Sequence, residues 1–581
     1  MTVTVPAGGE RAARPAGPRH RVRLGLRVGV GDGVELNTDV VLPDGPGPFP
    51  AVLIRTPYGT GAVMKEAIGW AAQGLVAVVQ DVRGRYESGG RWRPWAGERA
   101  DGTATLRWLR RQPWSDGRVI AYGSSYGAHC ALEIALAPGS RLTGLIVAVP
   151  ALSHAQTIRE PGGVPRLLAH AWWWPSHGQR RVPHGPVIDA LHLLEPGVLR
   201  ALPVAELPRC WGGDPTGWRR AWDAPRPPVP MGSPGSPPLL VLGGRYDAYA
   251  DTAVELFTGW RGPRAHLVLG PWGHDLDLGR PGRPGPALRS PRPEVRPGML
   301  VRGWVGDLLG GGAAGVRRRW LAAPDGGPVD TAGGWWVGTG WPSATDPGAA
   351  IDSDTAIDSD TAIDPGTAID PGTAIDPGIG IGTGTGLDGG PGTDPAGRPP
   401  GGPRQFTADP DDPFPAQITS DDVTDTLDRP DQARFECPPG TADRILVGRP
   451  EVTLNGLGST GPADGPVPLD WVVRLLRLTP DGRAVQLAHA AIRTADTHAE
   501  LVLPPLAGVV PAGHRLAVQV TGHLFPLFPR DPQDGTDPVD ATRLHVVTRR
   551  VGGVELRLPV VTADGPIGHP VRADRLPGAW L

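Results

Sequence analysis

A serine that acts as a nucleophile needs a base within hydrogen-bond reach and a carboxylate to hold that base. Ser125 is the first candidate. It sits at the centre of Gly123-Ser124-Ser125-Tyr126-Gly127, between an apolar run, Arg118 to Tyr122, and a helical stretch from Ala128 to about Ala137. Strand, small-residue turn and helix in that order form the setting that lifts a serine hydroxyl clear of a sheet. The chemistry implied is acyl transfer, with Ser125 attacking a carbonyl. Asp247 and His274 could complete the set, each closing an apolar run, LLVLGGRY for the aspartate and HLVLGPWG for the histidine. Each also has an alternative role. Asp247 could cap the helix that follows, Asp251 is a second acidic candidate and the better cap for Thr252–Trp260, and His274 could be a loop residue paired with Asp275. His129 is nearer to Ser125 in the chain, but its place on the following helix points it away from the hydroxyl.

The oxyanion of a tetrahedral intermediate needs two donors. The backbone N–H of Tyr126, just after the nucleophile, supplies one by the geometry of the turn. The second should come from a loop after an early strand, where Tyr58 in IRTPYG offers a phenol O–H. No HGGG-type loop is present to give a backbone donor instead.

These side chains must be held by a sheet. AVLIRTPYG (51–59) and LVAVVQDVRG (75–84) are near-continuous apolar runs, as parallel strands covered on both faces require. RVRLGLRV (21–28) and VELNTDVVLP (34–43) alternate as a hairpin pair. Val63 to Gln73, closed by Gly74, and Gly97 to Trp108 read as helices, and LTGLIVAVP (142–150) as a further strand. The order predicts a mostly parallel sheet with helices on both faces. A helical cap rich in Trp, His, Pro and Arg interrupts it, and the segments at 237–247 and 264–274 resume it. In α/β-hydrolases the triad runs Ser, then Asp, then His, the order found here. Short alternating segments beyond Asp431, separated by turns such as Pro480-Asp481-Gly482, predict an antiparallel β-sandwich.

The expected layout is a flexible tail over 1–18, an α/β-hydrolase domain over 19–152 and 237–315, and the cap over 153–236. A C-terminal jelly-roll β-sandwich takes 316–343 and 405–581, around a low-complexity loop over 344–404 built on TAIDSD and TAIDPG hexads. A chain of 581 residues is too long for one core. Its net charge of −3 speaks against nucleic acid and anionic membranes as partners. Cys130, Cys210 and Cys437 have neither disulfide-framework nor metal-site spacing. No apolar leader or spanning run is visible, so a cytoplasmic protein without cofactor or metal is expected. Oligomeric state is not readable.

IRTPYG (54–59), QDVRGRYESGG (80–90), DGTATLRWLRRQPWSDGRVIAYGSSYG (101–127), GGRYDAY (243–249) and GPWGH (270–274) together resemble the CocE/NonD family of serine hydrolases, the cocaine-esterase and X-Pro dipeptidyl-peptidase group. The resemblance covers about residues 20–320, and more loosely the segment after Asp431. It implies an α/β-hydrolase domain, a helical cap and a C-terminal jelly roll. It places the nucleophile at Ser125, the acid at Asp247, the base at His274 and an oxyanion tyrosine at Tyr58. The substrate class it implies is a small ester, amide or short peptide. A dipeptidyl-peptidase must also bind a substrate ammonium, for which Glu195, Glu206 and Asp214 of the cap are available. The cap tryptophans Trp172, Trp173 and Trp174 suggest an aromatic acyl pocket, with packing inside the cap as the alternative. The sequence departs from the family at Arg245, where a tryptophan is common, and a basic group there is expected to alter acyl or leaving-group preference. An acyltransferase using the same triad and a catalytically silent binding scaffold are the rival readings. As a hydrolase it should lose activity as the pH drops through about 6.5, the ordinary histidine value.

Overall fold

The computed structural model describes residues 20–182, 196–276, 297–311, 318–322, 335–338, 341, 379–381, 403–417, 421–461, 465–561 and 568–571. The expected tail over 1–18 lies outside them. So does most of the 344–404 tract; within it Ile379–Ile381 is a short strand paired with Gly553–Arg557, and Arg404 opens the strand Arg404–Ala408, where only a loop was expected.

One large sheet organises the first half. Its strands are β1 (His20–Gly29), β2 (Glu35–Pro43), β3 (Phe49–Thr56), β4 (Val76–Asp81), β5 (Ser115–Ser124), β6 (Gly144–Ala148), β7 (Leu239–Gly244), β8 (Ala265–Gly270), β9 (Arg318–Ala322) and β10 (Trp335–Gly338). They lie in the order β1-β2-β4-β3-β5-β6-β7-β8-β9-β10, with Gly568–Val571 as an eleventh strand beyond β10. From β4 to β9 neighbours run parallel; β1, β2, β10 and the last strand are antiparallel. Every residue of β4, β6, β7 and β8 is buried, as strands covered on both faces should be.

Helices α1 (Met64–Ala71), α2 (Glu98–Arg110) and α3 (Tyr126–Ala135) make the early crossovers. Leu106, Leu109, Leu132 and Ile134 join one core beneath the sheet; Trp70 and Ala67 join the core on the other face. Between β6 and β7 the described elements are all helical. They are α4 (His154–Ile158), α5 (Leu167–His177), two short segments at Pro196–Leu199 and Val204–Trp211, and Pro215–Trp222. They close over their own cluster of Trp174, Trp218, Trp222 and Leu207.

The segment 316–343 corrects the expected layout. Its strands β9 and β10 continue the large sheet beyond β8 and do not enter the C-terminal sheets. Arg318–Ala322 pairs in parallel with β8 over five residues, and that hydrogen bonding fixes its place at this end of the large sheet.

The C-terminal sheets are antiparallel throughout. The largest orders Gln432–Glu436, Arg515–Thr521, Leu469–Leu478 and Ala484–Thr494. Glu451–Asn455 alternates buried and half-buried residues, as a strand with one covered face does. Leu475, Val473, Val518, Val520 and Leu454 fill the core between the sheets. Among the described residues, no helix is long and apolar enough to cross a membrane.

Candidate active site

Ser125 stands where β5 turns into α3, with φ +56° and ψ −124°. A positive φ at a non-glycine residue is strained and persists only where its surroundings enforce it. Here they do. The Ser125 N–H donates to the Ala148 carbonyl at 2.9 Å and its carbonyl accepts from Ala128 N–H at 3.0 Å. The turn is so tight that a Cβ on Gly123 would sit 1.9 Å from the Gly127 oxygen, so only glycine fits.

The loops after β7 and β8 bring the other two residues together. Arg245 N–H donates to the Gly270 carbonyl at 2.9 Å and Tyr246 N–H to the Trp272 carbonyl at 3.0 Å. A Cβ on Gly244 would lie 2.4 Å from the Trp272 oxygen, so the two backbones approach this closely only at a glycine. Across this seam His274 Nδ1 meets Asp247 Oδ1 at 2.8 Å, and His274 Nε2 meets Ser125 Oγ at 2.9 Å. Asp247 is buried, while the His274 side chain is 48% exposed. Burial works against the imidazolium, but Asp247 outweighs it, helped by Asp275, and holds the His274 pKa above the ordinary 6.5.

The Tyr58 hydroxyl lies 3.3 Å from Ser125 Oγ, and the Tyr126 N–H and the Trp173 indole face it. Burial pushes the Tyr58 phenol above its ordinary value, so it stays a donor at neutral pH. Its loop is anchored three times. Tyr58 N–H donates to Thr56 Oγ1 at 3.1 Å, Thr60 N–H to Asp81 Oδ1 at 2.9 Å, and Arg85 Nε to the Pro57 carbonyl at 2.8 Å. Tyr126 is pinned from below, its hydroxyl donating to Glu98 Oε1 at 3.0 Å and accepting from Trp95 N–H at 2.7 Å. All five residues singled out in the sequence therefore meet in one place. Together they are able to take a proton from Ser125 and to stabilise negative charge on an oxygen beside it.

Other candidates stand elsewhere. Asp251 does not cap its helix; it lies in the first turn and pairs with Arg449 of the C-terminal sheets at 2.8 Å. Arg245 does not face Ser125. Its guanidinium stacks on Tyr246 at 4.4 Å and lines a small cavity with Asp421, Leu446 and Arg477. His129 is buried on α3, and burial holds its pKa below 6.5. Of the cap carboxylates, Glu206 pairs with Arg209 at 2.5 Å, Asp214 caps Pro215–Trp222 through Thr216 N–H, and Glu195 lies outside the described residues. Trp174 is packed in the cap core, Trp172 is exposed and Trp173 lines the cleft.

The cleft over Ser125 has a volume of about 310 Å³, part of it open to solvent. Its walls include Trp95, Trp173, Tyr249, His154 and His170. Sequence reasoning missed the two histidines. The available signal was His170 standing three and four residues before Trp173 and Trp174, which puts the three on one side of a helix. Among the described residues, no cluster of three or more His, Cys, Asp or Glu is arranged to hold a metal ion.

Residues 32–275 match the model of the X-Pro dipeptidyl-peptidase (S15 family), and residues 398–552 that of the X-Pro dipeptidyl-peptidase C-terminal non-catalytic domain. The cocaine esterase of Rhodococcus sp. (strain MB1 Bresler) is 27% identical over 291 residues, 45% of this chain. The match spans only 50% of that relative's length. Among solved structures, an aminopeptidase from a marine sediment Thaumarchaeota archaeon superposes with a TM-score of 0.67 at 18% identity, covering 97% of this chain and 99% of the other. A selenomethionine-labelled alpha-amino acid ester hydrolase gives 0.66 at 20% identity, covering 95% and 98%. At these identities the two superpositions establish a shared fold.

Proposed function

We propose, from the premise that this chain belongs to the CocE/NonD family of serine hydrolases, that it cleaves small carboxylic esters through an acyl-enzyme on Ser125. The observation that carries the reading is the continuous relay from Asp247 to His274 to Ser125, with contacts of 2.8 and 2.9 Å. His274 Nε2 takes the Ser125 proton as Oγ attacks the carbonyl carbon. Asp247 fixes the tautomer and supports the imidazolium. Tyr58 O–H and Tyr126 N–H hold the oxyanion. His274 then protonates the leaving alcohol. A water activated by the same histidine releases the acid and restores Ser125.

An ester is favoured over an X-Pro peptide by the walls of the cleft. No carboxylate is among its described lining residues, so nothing there pairs with a substrate ammonium. Three unpaired cysteines, two of them buried, suit a reducing, cytoplasmic setting. The test is hydrolysis of p-nitrophenyl butyrate by the wild type and by Ser125→Ala, with a Gly-Pro anilide in parallel. Ester turnover abolished by the substitution, and no release from the anilide, supports the reading. Equal rates in both proteins remove Ser125 as nucleophile, and release from the anilide moves the substrate class to peptides.

A further inference from the structure

Two neutral histidines line the cleft that the esterase reading makes an acyl pocket. His154 on α4 and His170 on α5 meet with ring centroids 5.0 Å apart. Stacking fixes both planes. His154 lies between Trp95 at 4.5 Å and Trp174 at 5.5 Å, and His170 lies on Trp218 at 3.9 Å. Only the ring edges remain to interact. His170 is 2% exposed, and the Nε2 of each ring is buried with no hydrogen-bond partner among the described residues. Buried polar atoms in folded proteins are nearly always satisfied, and exceptions gather where a ligand completes them.

The charge state of the wall narrows what it suits. Burial pushes His154 down to about 3 and holds His170 well below its ordinary value, with His154 adding to the effect. The described lining residues include no Asp, Glu, Lys or Arg. An ammonium would find no anion there and a carboxylate no cation. A neutral imidazole nitrogen donates or accepts according to its tautomer, so two adjacent rings offer one of each. A hydroxyl gives one hydrogen bond and takes another. The surrounding Trp95, Trp173 and Tyr249 suit a flat ring beneath it.

We propose that His154 and His170 form an uncharged hydrogen-bonding wall of the acyl pocket, which selects an aromatic acyl group bearing a hydroxyl over the same group without one. The assignment of the cleft as an acyl pocket rests on the esterase reading; the affinity of the wall for a phenol does not. A site built to pair with a hydroxyl rejects the analogue that lacks it, because its own buried groups then go unpaired.

The test compares p-nitrophenyl phenylacetate with its 3-hydroxy and 4-hydroxy derivatives, in the wild type, His170→Phe and His154→Phe. The expected result is a kcat/KM at least about tenfold higher for one hydroxylated ester, falling to near parity in both variants. His170→Gln, which keeps a hydrogen-bonding side chain, should restore part of the preference. A second arm needs no turnover. Binding of 4-hydroxyphenylacetamide, 3-hydroxyphenylacetamide and phenylacetamide to Ser125→Ala is followed by tryptophan fluorescence. Tighter binding of a phenol with no ester turnover in the wild type would sustain the wall and sink the esterase. Parity among the three esters in the wild type, or a preference that survives both phenylalanine substitutions, overturns the proposal.

Discussion

Replacing Tyr58 by phenylalanine isolates one of the two oxyanion donors. The ring would stay, held edge-on against His177 with centroids 5.0 Å apart, and only the hydroxyl 3.3 Å from Ser125 Oγ would go. The Tyr126 N–H remains, because its side chain is fixed independently by Glu98 and Trp95. Losing one of two such donors lowers kcat by about 10²–10³, or ~2.7–4 kcal/mol of transition-state stabilisation. The ground-state carbonyl is bound less tightly by this hydroxyl than the developing oxyanion is, so KM should move by less than about threefold. A separate effect falls on stability. The Trp173 indole faces the same hydroxyl and would lose it, at a cost on the order of 1 kcal/mol. The assay is steady-state turnover of p-nitrophenyl butyrate at slightly alkaline pH, beside thermal unfolding of both proteins. A kcat reduced by less than about tenfold in a folded variant, or a loss carried wholly by KM, would refute the assignment of Tyr58 to the oxyanion.

Further outcomes follow from the same geometry. Because Asp247 raises the His274 pKa above 6.5, activity should begin to fall on acidification above that value, not at it as the isolated residue suggests. Asp247→Asn should move that inflection to lower pH and cut kcat on the order of 10⁴-fold, and a pH–rate profile with an unmoved inflection would count against the pairing. Gly123→Ala should fail to form the turn, since its Cβ would meet the Gly127 oxygen at 1.9 Å; soluble, active protein on expression would show that the turn relaxes. Acid should weaken the cap. His154 and His177 are held down to about 3 by burial, with Arg85 adding to the effect on His177. The unfolded chain therefore binds more protons than the folded one below about 6.5, and each ring removes on the order of 1.4 kcal/mol per pH unit as acidity rises. Denaturant titrations at descending pH should show that slope, and His177→Phe should reduce it if the fold is kept.

What could be read from the sequence was local and carried by type. The turn around Ser125 was legible because small residues, an apolar strand and a helix stand in one continuous stretch, and Gly123 has no substitute there. The loops ending in Asp247 and His274 were legible because each follows an apolar run, and the backbone pairing between them is short-range in space. Long-range choices were not. The strand at Arg318–Ala322 is five residues long and carries no pattern that tells one sheet from another, and its parallel partner β8 places it in the large sheet. Arg245 was placed near the active site by its distance along the chain. The chain turns just after β7, so the Asp247 carboxylate meets His274 while the Arg245 guanidinium lies over Tyr246 among Asp421, Leu446 and Arg477. Asp251 fits a cap by type, but Arg449, 198 residues on, supplies a stronger partner. The polar wall of His154 and His170 depends on how two helices cross, which no periodicity specifies.

The eleventh strand has a consequence for biosynthesis. Gly568–Val571 pairs with β10, so about 230 residues are made between the two partners. At roughly 5–20 residues per second a ribosome needs on the order of 10–50 s to cover that distance. Throughout that interval β10 lacks its native partner on one edge, and such an edge is a template for pairing with another chain. The strand at Gly568–Val571 thus seals a sheet whose Ser125 turn was translated far earlier, and termination before it would release chains with the Ser125, Asp247 and His274 segments complete and β10 without its partner.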